Sequence, residues 1–296
     1  MKCALGIDLG GTNLKLIAVT PAGKVISRAA VPHALRGKNW KKNVRHAFDD
    51  FVAALPNPPD SIGVATPGLP APDHKSIAHM PGRLPGLEGL IWKKFLNSPR
   101  PVPVINDAQA ALLGEVWLGA ARGAQNAILL TLGTGVGGAA IVDGRVLHGH
   151  IGRAGHLGHI SLDPFAPRDV ANTPGSLENA IGDCTVKTRT RGRFDSTEAL
   201  VRAAQNGDPQ AARQWVDSVR ALAAAIASLV NVLDPETVVI GGGIAKAGPA
   251  LFTPLNQFLK KFEWRPAGQK VRLVPAQLAD QAGAFGAART AMHPPP

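Results

Sequence analysis

Gly6-Ile7-Asp8-Leu9-Gly10-Gly11-Thr12, at the start of the chain, and Leu132-Gly133-Thr134-Gly135-Val136-Gly137-Gly138, near its middle, are two versions of one pattern: an apolar strand running into a glycine- and threonine-rich turn. Glycines there let backbone N–H groups approach an anion that larger side chains would hold away, and the threonine adds a hydroxyl. Two such turns imply two phosphate clamps.

The flanks repeat as well. Residues 3–27 read as a strand, the turn, a second strand (Leu14 to Val19), an Ala-Gly turn and a third strand (Lys24 to Ser27). Residues 127–148 read as Ala127 to Leu132, the turn, Ala139 to Val142, an Asp143-Gly144 hairpin turn, then Arg145 to Leu147. Internal duplication is the economical explanation. The copies differ in that Asp8 stands where the second copy has Thr131. A carboxylate beside a phosphate-binding turn is tolerated when a divalent cation separates the negative groups, so Asp8 asks for magnesium, held through water.

The chain has 296 residues, enough for two domains with their own cores, and 45% of them are hydrophobic, which argues against disorder. The longest nearly apolar stretch, Ala221 to Leu233, is too short to cross a bilayer, and Asp8 interrupts the first apolar run before a signal-peptide core can form. The expectation is a cytoplasmic protein with no membrane partner. Its two cysteines, Cys3 and Cys184, give neither a disulfide framework nor a metal-type spacing. The net charge of +11 raises nucleic acid as a partner, but the basic residues are scattered, tyrosine is absent, and a solvated basic surface accounts for them.

Trp40, Val44, Phe48, Phe51, Val52 and Leu55 share one helical face. Ser61 to Ala65 is a buried strand entering Thr66-Pro67-Gly68, and the turn-rich stretch from there to Gly89 looks too polar and broken for core structure. Pro101 to Ile105 is a strand, followed by a helix from Ala108 to Leu118 that Asn106 or Asp107 caps. Helices fill Leu200 to Leu233 with a break at Asn206-Gly207-Asp208-Pro209; strands follow at Thr237 to Ile240 and Val271 to Pro275, and a helix at Ala282 to Met292. Strands alternating with helices give an α/β architecture.

The run Gly6 to Thr12, Thr66-Pro67-Gly68, Asn106-Asp107, Leu132 to Gly138, Gly152-Arg153-Ala154-Gly155-His156-Leu157-Gly158-His159 and Asp234-Pro235-Glu236 through Gly241-Gly242-Gly243 follow one another in the order seen in the repressor, open-reading-frame and kinase (ROK) family. From Leu5 to about Ala288 the chain resembles that family. The resemblance implies an actin-like, hexokinase-like (ribonuclease H-like) duplicated two-domain fold with a cleft between the domains. It places residues 1–107 and a C-terminal helix over about 281–296 in a small domain and 108–280 in a large one. It also implies an ATP-dependent, glucokinase-like sugar kinase acting on the 6-hydroxyl of glucose or a related hexose, assembled as a homodimer or homotetramer. In that picture Asp8, Gly10, Gly11, Thr12 and Asn13 face the phosphates and magnesium, Thr134, Gly135 and Gly137 hold the other side, and Gly242-Gly243 lies near the adenosine.

Asp107 is the candidate general base, since a carboxylate at a strand end can accept the proton of a sugar hydroxyl and align it with the γ-phosphate. The plainer reading, that Asn106-Asp107 only caps a helix, stands beside it; the ordered motifs favour catalysis. By resemblance Gly68, His79, Asn106, Asp107, His156, His159 and Glu178 bind the sugar. His156 stands where the family has a sugar-binding Glu, and His79 near a sugar-contacting Asn, so the sugar need not be glucose. The family's zinc cysteines are replaced by Asp169, Ala171 and Ser176, and no structural zinc is expected.

Two alternatives accompany this reading. A polyphosphate-dependent glucokinase would suit the positive charge, and a non-catalytic sugar-binding regulator would suit the His156 and zinc-loop changes. Repressors of the family carry a helix-turn-helix module before the first glycine turn, which here begins a few residues from Met1, so no specific nucleic-acid binding is expected.

Overall fold

In chain order the first half holds β1 (Ala4–Leu9), β2 (Leu14–Val19), β3 (Val25–Val31), α1 (Trp40–Ala53), β4 (Ser61–Thr66), β5 (Leu69–Pro70), β6 (Ile77–His79), α2 (Trp92–Phe95), β7 (Val104–Asn106) and α3 (Asp107–Leu118). Then come β8 (Ala127–Leu132), β9 (Val136–Val142), β10 (Arg145–Val146), α4 (Leu177–Ile181), α5 (Val186–Arg189), α6 (Thr197–Gln205) and α7 (Pro209–Leu233). The chain closes with β11 (Thr237–Gly241), α8 (Pro249–Phe262), β12 (Arg272–Pro275) and α9 (Ala282–Met292). This computed structural model describes residues 2–10, 13–32, 37, 39–80 and 84–295.

The duplication is visible in the strand orders, β3-β2-β1-β4-β7 in one sheet and β10-β9-β8-β11-β12 in the other. In each, a hairpin supplies the antiparallel half (β1 with β2, β8 with β9) and later strands join in parallel (β4 on β1 and β7 on β4; β11 on β8 and β12 on β11). The register equates Asp8 with Thr131, since Asp8 pairs with Lys15 and Ala65 while Thr131 pairs with Gly137 and Gly241. Asp143 and Gly144 both take positive φ, 49° and 72°, as the tight hairpin turn at Asp-Gly requires.

The chain divides into one unit of residues 1–123, 146–154 and 277–296 and a second of 124–145 and 155–276. The first boundary thus falls after Gly123 rather than after Asp107, because α3 packs along α9 and stays with the first sheet. In this unit Trp40, Val44, Phe48 and Phe51 of α1 are buried against the sheet, as their spacing predicts. The stretch after Gly68 departs from its polar appearance: Ile77 and Leu87 are fully buried in the same cluster, and the Trp40 indole donates to the Pro85 carbonyl.

On the other side of the first sheet lies α9, whose buried face is almost entirely alanine and glycine. Small residues let the backbones meet. A methyl group at Gly6 would lie 1.9 Å from the Ala284 carbonyl oxygen, at Gly63 2.2 Å from that of Ala287, and at Gly286 1.7 Å from that of Ala110 on α3.

In the second unit α7 runs for 25 residues, long and apolar enough by composition to span a bilayer. Ala211, Trp215, Val219, Leu222, Ile226 and Leu229 recur at helical spacing on its buried side, where it packs on α4, α6 and α8 as a core helix.

The α9 contact gives a direct prediction. Gly286→Ala must push α9 from α3 and is expected to destabilise the protein by about 1–3 kcal/mol or more, read as a lower midpoint in thermal or urea denaturation. A midpoint equal to that of the native protein would contradict this packing.

Candidate active site

Parallel strands end together, so their carboxyl edge gathers loops from distant parts of a sequence. In the first unit that edge carries Asp8 and Gly10 at the end of β1, Thr66-Pro67-Gly68 at the end of β4, and Asn106-Asp107 at the end of β7. Asn13 leads into β2, and Gly11 and Thr12, also expected at the phosphates, lie outside the described residues.

Asp8 is 6% exposed. Its carboxylate sits over the first turn of α9, where a methyl at Gly283 would come within 2.7 Å of Oδ2, so glycine at that position makes the room. Burial pushes the Asp8 carboxyl up to about 7; Lys15, with Nζ 3.9 Å from Oδ2, pulls it back, and the charges of Asp107 and Asp280 add to the rise. Lys15 also donates to the Asp280 carbonyl, tying β2 to the start of α9. A buried carboxylate that feels two further carboxylates, with Lys15 of β2 as the one cation acting on it among the described residues, is a site deficient in positive charge. A hydrated divalent cation fits that deficiency.

Asn106 and Asp107 divide the labour that the sequence left open. Asn106 is the N-cap of α3: its Oδ1 accepts from the N–H groups of Ala108 (2.9 Å) and Gln109 (3.4 Å), and its Nδ2 donates to the Gly68 carbonyl (3.1 Å). Asp107 opens the helix, with Oδ1 accepting from the Ala108 N–H at 2.8 Å, so the backbone orients its carboxylate. Gly68 has φ +102°, and a methyl there would lie 2.6 Å from Met80 Cβ, so the corner that reaches Asn106 demands glycine. Across that corner His79 pairs with Leu69; it is exposed, with Nδ1 3.6 Å from Glu88.

In the second unit the carboxyl edge carries the turn Gly133-Thr134-Gly135 after β8 and Gly242-Gly243 after β11. The turn is pinned from below: the Asp183 and Cys184 N–H groups donate to the carbonyls of Gly133 (2.9 Å) and Thr134 (2.7 Å). Gly242 has φ +86° and its hydrogen faces the Leu132 carbonyl, where a methyl would sit at 2.2 Å. Gly133, Thr134 and Gly243 line a cavity of about 720 Å³ together with Asp183, Glu198, Arg202 and Lys246. These four polar residues escaped the sequence reading, because they come from one helix, α6, and two separate turns, with no motif of their own. Gly137 stands one step back, inside β9 opposite Thr131.

Glu178, on the first turn of α4, is 8% exposed, and its Oε2 accepts from the Val136 N–H at 2.9 Å. A methyl at Gly135 would lie 2.3 Å from that oxygen, so the glycine turn and the carboxylate are packed together. His156 precedes, and His159 ends, a single 3-10 turn at Leu157–His159. His159 Nδ1 lies 2.7 Å from Asp169 Oδ2. Burial opposes ionisation of Asp169, but the hydrogen bonds from His159 and from the Thr173 N–H outweigh it and hold the carboxyl below its ordinary value.

His159, Asp169 and Glu178 each offer a ligand atom, all within 4.8 Å of one another. A structural zinc needs four good ligands, and neither Ala171 nor Ser176, whose hydroxyl caps α4 by accepting from the Asn179 N–H, completes such a set. Asp169 was the residue that sequence reasoning undervalued, as a lost thiol rather than a carboxylate with its own partners.

Known proteins are similar to this chain in sequence and in fold. The ROK family profile matches residues 4–293. The glucokinase of Halalkalibacterium halodurans is 32% identical over 313 aligned residues, covering 95% of this chain and 92% of its own. The solved ROK hexokinase from Thermus thermophilus is similar with a TM-score of 0.84 at 31% identity, with 98% of each chain covered. A ROK family glucokinase from Streptomyces griseus, solved in complex with glucose and AMPPNP, gives a TM-score of 0.78 at 25% identity over 98% of this chain and 99% of its own.

The buried carboxylate makes stability depend on pH in a definite direction. A folded-state value of about 7 lies above the ordinary 3.8, so this contribution to stability is complete below pH 4 and is lost as pH rises through 7. In buffer free of divalent ions, Asp8→Asn is therefore expected to melt above the native protein at pH 8, by up to ~4 kcal/mol, with the gap closing towards pH 4. A gap that does not change with pH would show that Asp8 is not desolvated.

Proposed function

The chain belongs to the ROK family, and from that membership we propose that it is an ATP-dependent hexose kinase, transferring the γ-phosphoryl group to a hydroxyl of glucose or a related hexose, the 6-hydroxyl first among them. The observation that carries the reading is the pairing of Asp8 with Asp107 on one carboxyl edge, in a fold whose relative from Streptomyces griseus holds glucose and AMPPNP.

Each residue then has a task. Asp107, oriented by the Ala108 N–H, accepts the proton of the attacking hydroxyl as oxygen bonds to phosphorus and the bond to ADP breaks. Asn106 fixes the position of Asp107 by capping α3 and holds the Gly68 corner, which with His79 borders the sugar. Asp8 would hold magnesium through water; the ion's contribution is to neutralise charge on the transferring group. Gly10, Gly11, Thr12 and Asn13, and with them Thr134, Gly135 and Gly137, would supply N–H and hydroxyl donors to the phosphates. The cavity bordered by Gly243, with Gly242 beside it, receives the nucleoside. Glu178, His156 and His159 complete the sugar contacts. The reading includes a cytoplasmic enzyme that forms a homodimer or homotetramer.

His156 is the residue expected to set the sugar. A carboxylate only accepts hydrogen bonds, whereas an imidazole carries at least one N–H, so the hydroxyl pattern satisfied here differs from that of a glutamate.

ADP release from magnesium-ATP, assayed against glucose, mannose, fructose, allose, N-acetylglucosamine and N-acetylmannosamine, is expected to show strong turnover on at least one hexose; inorganic polyphosphate as donor is expected to be poorer, and silence across the panel refutes the proposal. Asp107→Asn should retain hexose binding by calorimetry while kcat falls about 10²- to 10⁴-fold. Undiminished kcat would remove Asp107 as base. For His156→Glu the ratio of kcat/KM values should move towards glucose, and an unchanged ratio across the panel would exclude His156 from selection.

A further inference from the structure

The segment 160–176 closes on itself through two isolated strand bridges, Ser161 with Ser176 and Arg168 with Pro174. At its tip the Asp169 N–H donates to the Thr173 carbonyl and the Asn172 N–H donates to the Asp169 carbonyl, making a tight turn. The Asp169 side chain is folded inside that turn with 0% of its surface accessible. Its Oδ1 accepts two backbone N–H groups, from Ala171 and Thr173, each at 2.9 Å. That oxygen is saturated with donors, and the other faces His159.

A carboxylate whose first oxygen takes two N–H donors is an acceptor only, so the proton in the 2.7 Å contact must sit on His159 Nδ1. In the neutral ring Nε2 then carries a lone pair. The contact is spaced for a proton and not for an ion: two ligands of one tetrahedral metal, each bonded at about 2.0–2.1 Å, lie about 3.3 Å apart. The ring is 27% accessible, so it meets solvent or ligand away from its buried partner.

We propose that Asp169 is a positioning residue that fixes His159 as the Nδ1–H tautomer, so that Nε2 presents an acceptor to a donating hydroxyl of the sugar. The inference rests on the reading of His159 as a sugar contact. It names what the site selects: a hexose with a free hydroxyl at that position, in preference to its O-methyl or deoxy analogue, which cannot donate there.

The decisive variant is Asp169→Asn. Because Oδ1 must go on accepting the two backbone N–H groups, the amide oxygen keeps that place and the NH2 group falls against His159. An NH2 group can only donate, so the ring must offer Nδ1 as the acceptor and carry its proton on Nε2. The shape of the turn is retained while the outward nitrogen changes from acceptor to donor. Long-range 1H–15N NMR of the histidine rings should show Nδ1–H at His159 in the native protein and Nε2–H in Asp169→Asn. The hexose KM and calorimetric Kd should rise roughly ten- to hundredfold with kcat changed far less. In the His159→Gln background the same substitution should have little further effect.

Nε2–H in the native protein, an unchanged hexose affinity in Asp169→Asn, or a stoichiometric metal whose chelation moves the His159 resonances would each overturn the proposal. Failure to turn over any hexose would instead refute the kinase reading, and the NMR experiment on the ligand-free protein separates the two.

Discussion

Backbone-to-backbone contact between α9 and its surroundings is the constraint on which the first unit depends. The carbonyls of Ala284 and Ala287 press against Gly6 of β1 and Gly63 of β4, while Gly286 receives the Ala110 carbonyl of α3 and Gly114 of α3 receives that of Ala282. No side chain larger than hydrogen fits at these four points. The contact therefore sets the distance between the sheet and two helices, and the chemistry rides on it: α3 begins at Asp107, and Gly283 makes the pocket for the Asp8 carboxylate. A helix near the end of the sequence, α9, thus positions two carboxylates, Asp8 and Asp107, supplied by its first half. The raised Asp8 carboxyl is the energetic counterpart, a destabilising group kept where a cation would relieve it.

The duplicated sheets show how one topology comes to do two different tasks. At equivalent register positions the first sheet has Asp8, Lys15 and Ala65 and the second has Thr131, Gly137 and Gly241. The two charged side chains of the first copy give way to a hydroxyl and a glycine in the second. The first edge can thus handle a cation and a proton, whereas the second offers backbone to an anion and, beside it, a cavity of a size that takes a small organic molecule.

Much of this was legible in the sequence because the signals were local. The hairpin at Asp143-Gly144, the stripe from Trp40 to Phe51 and the break at Asn206 to Asp208 each depend on a few neighbouring residues, and each appears where its pattern puts it. The misread parts depend on distant contacts. Ile77 and Leu87 stand in a stretch without periodicity, yet both are fully buried, because the sheet and α1 supply the apolar surface that the stretch does not advertise. The boundary after Gly123 follows from α3 (Asp107–Leu118) lying against α9 (Ala282–Met292), two helices far apart in the chain. Asp183, Glu198, Arg202 and Lys246 meet at one cavity only after three separate segments have folded, with Glu198 and Arg202 one turn apart on α6.

Asp169 illustrates a different kind of illegibility, in which a residue is judged by what it replaces. Measured against a thiolate ligand it is a loss, yet a carboxylate has two oxygens and can do two things at once: one organises the turn through Ala171 and Thr173, the other orients His159. The buried Glu178 carboxylate, 8% exposed, works the same way, with Oε2 committed to the Val136 N–H. With the roles proposed above, Asp107, Glu178 and His159 Nε2 all ask the sugar for donors, while His156 can offer one. A site built of acceptors rejects a ligand that lacks a hydroxyl more sharply than one that carries an additional group, because a desolvated acceptor left unpaired loses its hydrogen bond to water and gains nothing in return. Selectivity in such a site comes from the hydroxyls that the sugar must have, and the carboxylates that enforce it are held in place by backbone N–H groups.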